Sequence, residues 1–174
     1  MTIETVKSSI RDVPDFPKKG ILFKDLTTAF KRPDILKYIV DKLYEYYKDE
    51  GITKVAGIES RGFIVGSALA FKLGAGFVPV RKPGKLPADT FSQTYELEYG
   101  YDTVEIHRDA LSAKDVVLLH DDLLATGGTA LATLELIKMC GVTEIKTNFI
   151  VELGFLNGAE KLRVDTEVYS LITF

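Results

Sequence analysis

Val116-Val117-Leu118-Leu119-His120-Asp121-Asp122-Leu123-Leu124-Ala125-Thr126-Gly127-Gly128-Thr129 opens on four consecutive apolar residues, passes through two carboxylates and closes on a turn of small residues. The apolar start suits a strand buried on both faces, and the small-residue turn leads into a helix beginning near Ala130. At a helix N-terminus, free backbone N–H groups and the positive end of the dipole converge, so a phosphate can be held there without a lysine. Gly127 and Gly128 allow close backbone approach, and Thr126 and Thr129 offer hydroxyl donors. Asp121 and Asp122 fall toward the carboxyl end of the strand, where open α/β sheets place their ligands. There they can accept hydrogen bonds from ribose hydroxyls and, through water, orient Mg2+; on turn preferences alone they could equally cap the turn.

Further short apolar runs flank this stretch at Val55-Ala56-Gly57-Ile58, Phe77-Val78-Pro79-Val80 and Asn148-Phe149-Ile150-Val151. Between them the period is helical. Asp34 to Tyr47 aligns Ile35, Ile39, Leu43 and Tyr46 or Tyr47 on one face behind Pro33, which suits a first helical position. Gly62 to Leu73 is apolar nearly all round and predicts a buried helix; Ala130 to Cys140 predicts a third, closed by Gly141 in a left-handed cap. The alternation implies an α/β fold with a mostly parallel central sheet and crossover helices. Arg81 to Asp109, rich in Gly, Pro, Tyr and charge, interrupts the pattern. Its alternating runs Tyr95 to Tyr99 and Thr103 to His107 predict a hairpin-like arm outside the main sheet, with Pro83, Gly84, Pro87 and Gly100 as its flexible points.

A chain of 174 residues with 46% hydrophobic content fits one domain with a sizeable core. The single cysteine, Cys140, excludes an internal disulfide and reads as an inert thiol in an apolar helix. With 22 basic against 25 acidic residues the net charge is −3, which argues against a nucleic-acid partner. No apolar stretch of about 18 residues argues for a membrane, and no charged start followed by an apolar run argues for export; the expectation is a cytoplasmic protein. His107 and His120 have no Cys or second His at ligand spacing, so neither reads as a metal site. His120 remains a candidate partner for Asp121.

Rival phosphate motifs fail. A P-loop needs Gly-Lys followed by Ser or Thr, and the chain has none; Gly74-Ala75-Gly76 precedes a strand and meets Pro79 where a third Gly belongs. The segment Asp121 to Thr129 closely resembles the donor-binding loop of the type I phosphoribosyltransferases. Matches continue at Asp15-Phe16-Pro17, Gly20 to Asp25, Glu59 to Phe63, Arg81 to Pro87, Leu97 to Gly100 and Val151 to Leu153. His120, where that family more often has an aliphatic residue, is a small departure.

The resemblance implies a fold of residues 1–174 as one domain, with an N-terminal hood over about residues 1–30 and an arm over about residues 81–109. It implies Mg2+-dependent transfer of a phosphoribosyl group from 5-phosphoribosyl 1-diphosphate to adenine in purine salvage, giving AMP and diphosphate. Mg2+ is carried on the diphosphate, with no direct protein ligand and Asp121 acting through water. The donor site comprises Ser60, Arg61, Arg81, Lys82, Lys85, Asp121, Asp122, Ala125, Thr126, Gly127, Gly128 and Thr129, with a cis peptide at Glu59-Ser60. Arg61, Ile21, Phe23 and Leu153 form the adenine site, Ile21 through its backbone C=O and N–H. Glu98 transfers a proton at the purine ring and Tyr99 helps close the arm. Ala125 replaces an Asp that hypoxanthine and guanine enzymes tend to carry, which points to adenine. Arg81 is similar to a residue that reaches a neighbouring subunit, implying a homodimer. Read without the resemblance, Arg61 is a surface residue, Arg81, Lys82 and Lys85 a solvated charge run, Phe23 a core residue and Glu98 a carboxylate on an edge strand. A nucleotide-sensing regulator on the same fold is the alternative from another class.

Overall fold

The computed structural model describes residues 1–97 and 100–174. In chain order the elements are α1 (Ile3–Ser9), β1 (Arg11–Pro14), β2 (Leu22–Asp25), α2 (Thr27–Phe30), α3 (Pro33–Tyr47), β3 (Lys54–Ile58), α4 (Gly62–Leu73), β4 (Gly76–Val80), β5 (Thr90–Glu96), β6 (Tyr101–His107), β7 (Val116–Leu124), α5 (Gly128–Met139), β8 (Glu144–Glu152), α6 (Gly158–Leu162) and β9 (Glu167–Thr173). The central sheet runs β4-β3-β7-β8-β9, and every pair in it is parallel. From β3 the chain steps to β4 on one side and later returns to β7 on the other. Right-handed crossovers in opposite directions put helices on opposite faces. Accordingly, α3 and α4 pack one core with Leu118 and Ile150, while α5, α6 and the β5–β6 hairpin pack the other with Leu119 and Phe149.

Local sequence explains the helices. Pro33 occupies the first turn of α3, and Ile35, Ile39, Leu43 and Tyr47 are its buried stripe; each such aliphatic side chain is worth about 1.5–3 kcal/mol when fully buried. In α4, Gly66 leaves room for neighbours: a Cβ there would come within 3.1 Å of the His120 ring and 3.2 Å of Phe77. The expectation that α4 is buried all round does not hold. Its Gly62, Val65, Gly66, Leu69 and Ala70 are buried, but Phe71 is 89% exposed and Ile64 43%. A helix packed on one face of a sheet keeps a second face for solvent or another surface.

Two sequence expectations shift at their boundaries. β7 runs on past Leu119 to Leu124, so both aspartates lie inside the strand, with Asp121 opposite Phe149 of β8. The hairpin's first strand is Thr90–Glu96, beginning ahead of the alternating run at Tyr95, and it pairs antiparallel from Thr90–His107 to Glu96–Tyr101. The hairpin is a separate sheet, yet it is no free appendage: Val104 and Ile106 are buried, and Phe91 and Tyr95 pack with them against the α5 core. β9 had no clear sequence signal, since Ser170 and Glu167 break its apolar run at the sheet's edge.

Candidate active site

β3 lies between β4 and β7, where the strand order reverses, and a ligand crevice opens outside the carboxyl ends of strands at such a point. Two loops meet there. The first, after β3, carries the non-proline cis peptide Glu59-Ser60 and then Arg61 at the start of α4. Gly62 follows because a Cβ there would meet the Asp121 carboxylate at 2.8 Å and the His120 carbonyl at 3.2 Å; α4 therefore begins hard against β7.

Arg61 Nε lies 2.8 Å from Asp122 Oδ2, and its guanidinium sits 5.1 Å from the centre of the Phe23 ring. Arg61 thus joins β7 to β2. Asp121 Oδ1 accepts from the Asp122 amide at 2.9 Å. Burial, then the adjacent Asp122 charge, push the Asp121 carboxyl well above the usual carboxylate range. Burial also raises Asp122, against the opposing pull of Arg61. Two neighbouring carboxylates with one guanidinium leave the crevice floor short of positive charge, so it favours hydroxyl donors or a cation.

The second loop follows β7. Asp121, Leu123, Leu124 and residues 125–130 line a pocket of about 90 Å3 beside the first turn of α5. Gly127 is left-handed at φ +82°, and a Cβ on it would lie 2.6 Å from the Gly158 carbonyl. Gly158 answers in kind: a Cβ there would run into the Ala125 carbonyl and approach Gly127 N at 2.9 Å. Gly127 is thus needed for contact with the start of α6, and Gly158 went unnoticed in the sequence. Thr129 does not present its hydroxyl proton to the pocket; Oγ1 donates to Tyr95 Oη at 2.9 Å.

The basic stretch after β4 is partly solvated, but its three charges are paired. Arg81 Nε lies 3.2 Å from Glu59 Oε2, the Lys82 amide donates to the same oxygen at 3.0 Å, and Lys85 pairs with Glu59 Oε1. Arg81 Nη1 also donates to the Lys85 carbonyl at 3.2 Å, and Lys82 Nζ pairs with Asp102. Burial alone would raise Glu59, but Lys85, the Lys82 amide and Arg81 outweigh it and hold the carboxyl below its ordinary range. The sequence showed the three cations and hid their acidic partners, which lie 20 to 26 residues away.

Between β1 and β2, Phe23 meets Phe16 edge-on at 5.1 Å, and Ile21 is 41% exposed. The Ile21 N–H donates to the Lys18 carbonyl at 3.2 Å, closing a turn. Leu153 is buried, its N–H donating to Leu124 O at 2.9 Å, beside the start of the pocket loop. His120 is corrected: Nδ1 is 2.5 Å from Asn148 Oδ1, its ring faces Gly66, and burial lowers it to about 4, so it is a neutral core residue and not a partner of Asp121. Glu98 and Tyr99 lie outside the described residues. Among the described residues no cluster of three or more His, Cys, Asp or Glu could hold a metal ion.

The sequence matches the family described as phosphoribosyl transferase domain over residues 27–174. It is 60% identical over 173 residues to an adenine phosphoribosyltransferase of Phocaeicola vulgatus, covering 99% of both chains. The fold superposes at TM-score 0.96 on the adenine phosphoribosyltransferase of Thermoanaerobacter pseudethanolicus, with 47% identity over 99% of this chain and 100% of that one. It superposes equally, at TM-score 0.96 and 45% identity, on the Giardia lamblia enzyme in complex with 9-deazaadenine, over 100% of this chain and 98% of that one.

Proposed function

The chain belongs to the phosphoribosyl transferase family, and from that membership we propose the reaction in full: adenine and 5-phosphoribosyl 1-diphosphate give AMP and diphosphate, a purine-salvage step. The carrying observation is the Asp121-Asp122 pair beside the Ala125–Thr129 pocket at the point where strand order reverses. In this reading residues 1–174 act as one domain, with residues 1–30 as hood and 81–109 as arm. The donor's phosphate sits on the amides of Ala125, Thr126, Gly127, Gly128 and Thr129. Its ribose hydroxyls donate to Asp121 and Asp122. Ser60, Arg61, Arg81, Lys82 and Lys85 surround the departing diphosphate.

A ring nitrogen of adenine forms the bond to the anomeric carbon as the carbon–oxygen bond to diphosphate breaks, and the electron pair leaves with the diphosphate. The purine's ring proton passes to Glu98. Oxocarbenium character develops at the anomeric carbon, so the hood and the arm, with Tyr99, must exclude water. Phe23 and Leu153 offer apolar faces to the base, with Ile21 and Arg61 at its edge. Asp121 is a hard oxygen donor not committed to a guanidinium, and it fits Mg2+ held through water on the substrate's diphosphate. That ion, when bound, neutralises leaving-group charge.

Purified protein should form AMP from adenine, 5-phosphoribosyl 1-diphosphate and Mg2+; faster turnover of hypoxanthine or guanine would refute the adenine assignment that Ala125 supports. Glu98→Ala should depress kcat strongly while leaving donor binding nearly intact. We also assign a homodimer, supported by the outward apolar residues Phe71 and Ile64 of α4. Among the described residues no helix is long and apolar enough to cross a membrane, and a cytoplasmic location goes with this reading.

A further inference from the structure

Thr129, Tyr95, Asp102 and Lys82 come from three different segments and form one hydrogen-bonded chain. Thr129 Oγ1 donates to Tyr95 Oη at 2.9 Å, Tyr95 Oη donates to Asp102 Oδ2 at 3.2 Å, and Lys82 Nζ reaches both Tyr95 Oη, at 3.2 Å, and Asp102. The Tyr95 ring lies along Gly128, where a Cβ would meet its edge at 3.3 Å. Asp102 is held from its other oxygen by the Thr103 amide at 2.8 Å. The chain therefore runs from the first turn of the pocket helix, through the hairpin, to the basic stretch after β4.

We infer that Tyr95 is a positioning residue for the phosphoribosyl donor, its hydroxyl setting Thr129 and tying the phosphate pocket to Lys82. The inference rests on the functional reading above. Its logic is one of donors and acceptors. A phosphate oxygen only accepts, so with a phosphate in the pocket the Thr129 proton must turn from Tyr95 toward the ligand. Tyr95 can then turn its own proton from Asp102 to Thr129 Oγ1, and Asp102 keeps the Lys82 ammonium and the Thr103 amide. Every group stays satisfied, no covalent bond changes, and only two hydroxyls rotate. Without the Tyr95 hydroxyl, Thr129 loses its neighbour in both states and its rotamer is no longer fixed.

The test is Tyr95→Phe, which keeps the ring against Gly128, with Thr129→Val approaching the same contact from its other end. Direct titration with 5-phosphoribosyl 1-diphosphate and Mg2+, and steady-state kinetics, are the readouts. For one lost hydrogen bond, Tyr95→Phe should raise the donor's Kd and KM by a factor of about 3 to 10. The KM for adenine should stay put, and kcat should fall by less than a factor of about 2. Added to Thr129→Val, Tyr95→Phe should weaken donor binding no further, because the two act through one contact. Donor binding unaffected by Tyr95→Phe, or losses that simply multiply in the double variant, would overturn the relay alone. Wild-type protein that bound no donor would overturn the functional reading, and the relay with it.

Discussion

Asp121 is held in a state that costs the fold stability. Its folded pKa is raised, so the neutral acid is favoured and the cost to folding appears as pH climbs from the unfolded carboxylate range through the folded value. Asp121→Asn should therefore raise the melting temperature at neutral pH while weakening donor binding, measurable by thermal melts alongside titration; a lower melting temperature would contradict the burial argument. Gly158→Ala forces a methyl into the Ala125 carbonyl. Overpacking of this kind costs about 1–3 kcal/mol, and a shift of the loop should show as lost donor affinity with adenine binding retained. At this scale the sequence was legible where neighbours in the chain are neighbours in space, as at Asp121, Asp122 and Gly127. It was silent for Glu59, Tyr95, Asp102 and Gly158, whose roles come from contacts with residues up to 34 positions distant.

Secondary elements were easier to foresee when the hydrophobic period dominated. α3 and α4 fall at Pro33–Tyr47 and Gly62–Leu73 because proline, glycine and the apolar stripe all agree. The end of β7 was obscured by its carboxylates, which look like a turn until the nine-residue β8 is seen pairing alongside. The hairpin's alternation placed it outside the main sheet, but its docking on α5 depends on packing that period alone does not encode. Ile106 is fully buried in that contact. Ile106→Ala should cost about 2–5 kcal/mol in denaturant unfolding and raise the donor's KM, since the hairpin face it supports carries Tyr95; an unchanged midpoint would show the hairpin to be held elsewhere.

Across the whole molecule, the parallel α/β architecture followed from strand and helix alternation, whereas strand order did not, because nothing local says on which side of β3 the chain returns. Two predictions belong here. Phe71→Glu should convert the proposed homodimer to a monomer in size-exclusion chromatography with light scattering; a wild-type monomer would refute the assembly. The β1–β2 pair is pinned by Asp25, whose carboxyl accepts from Thr27 and Arg11 and is lowered from 3.8 to about 2. A depressed carboxylate stabilises above its unfolded value and loses that stabilisation as pH falls through the folded one. The stability gap between wild type and Asp25→Asn should therefore narrow from about pH 4 toward 2, followed by urea unfolding; a constant gap would mean the charge is not what matters.

The back-to-back glycines 127 and 158 carry a consequence for engineering. Two stretches of main chain that touch without intervening side chains act as mould and cast. Transplanting residues 121–129 into a foreign scaffold would bring the letters of the pocket without its shape, unless the segment through Gly158 travels with them.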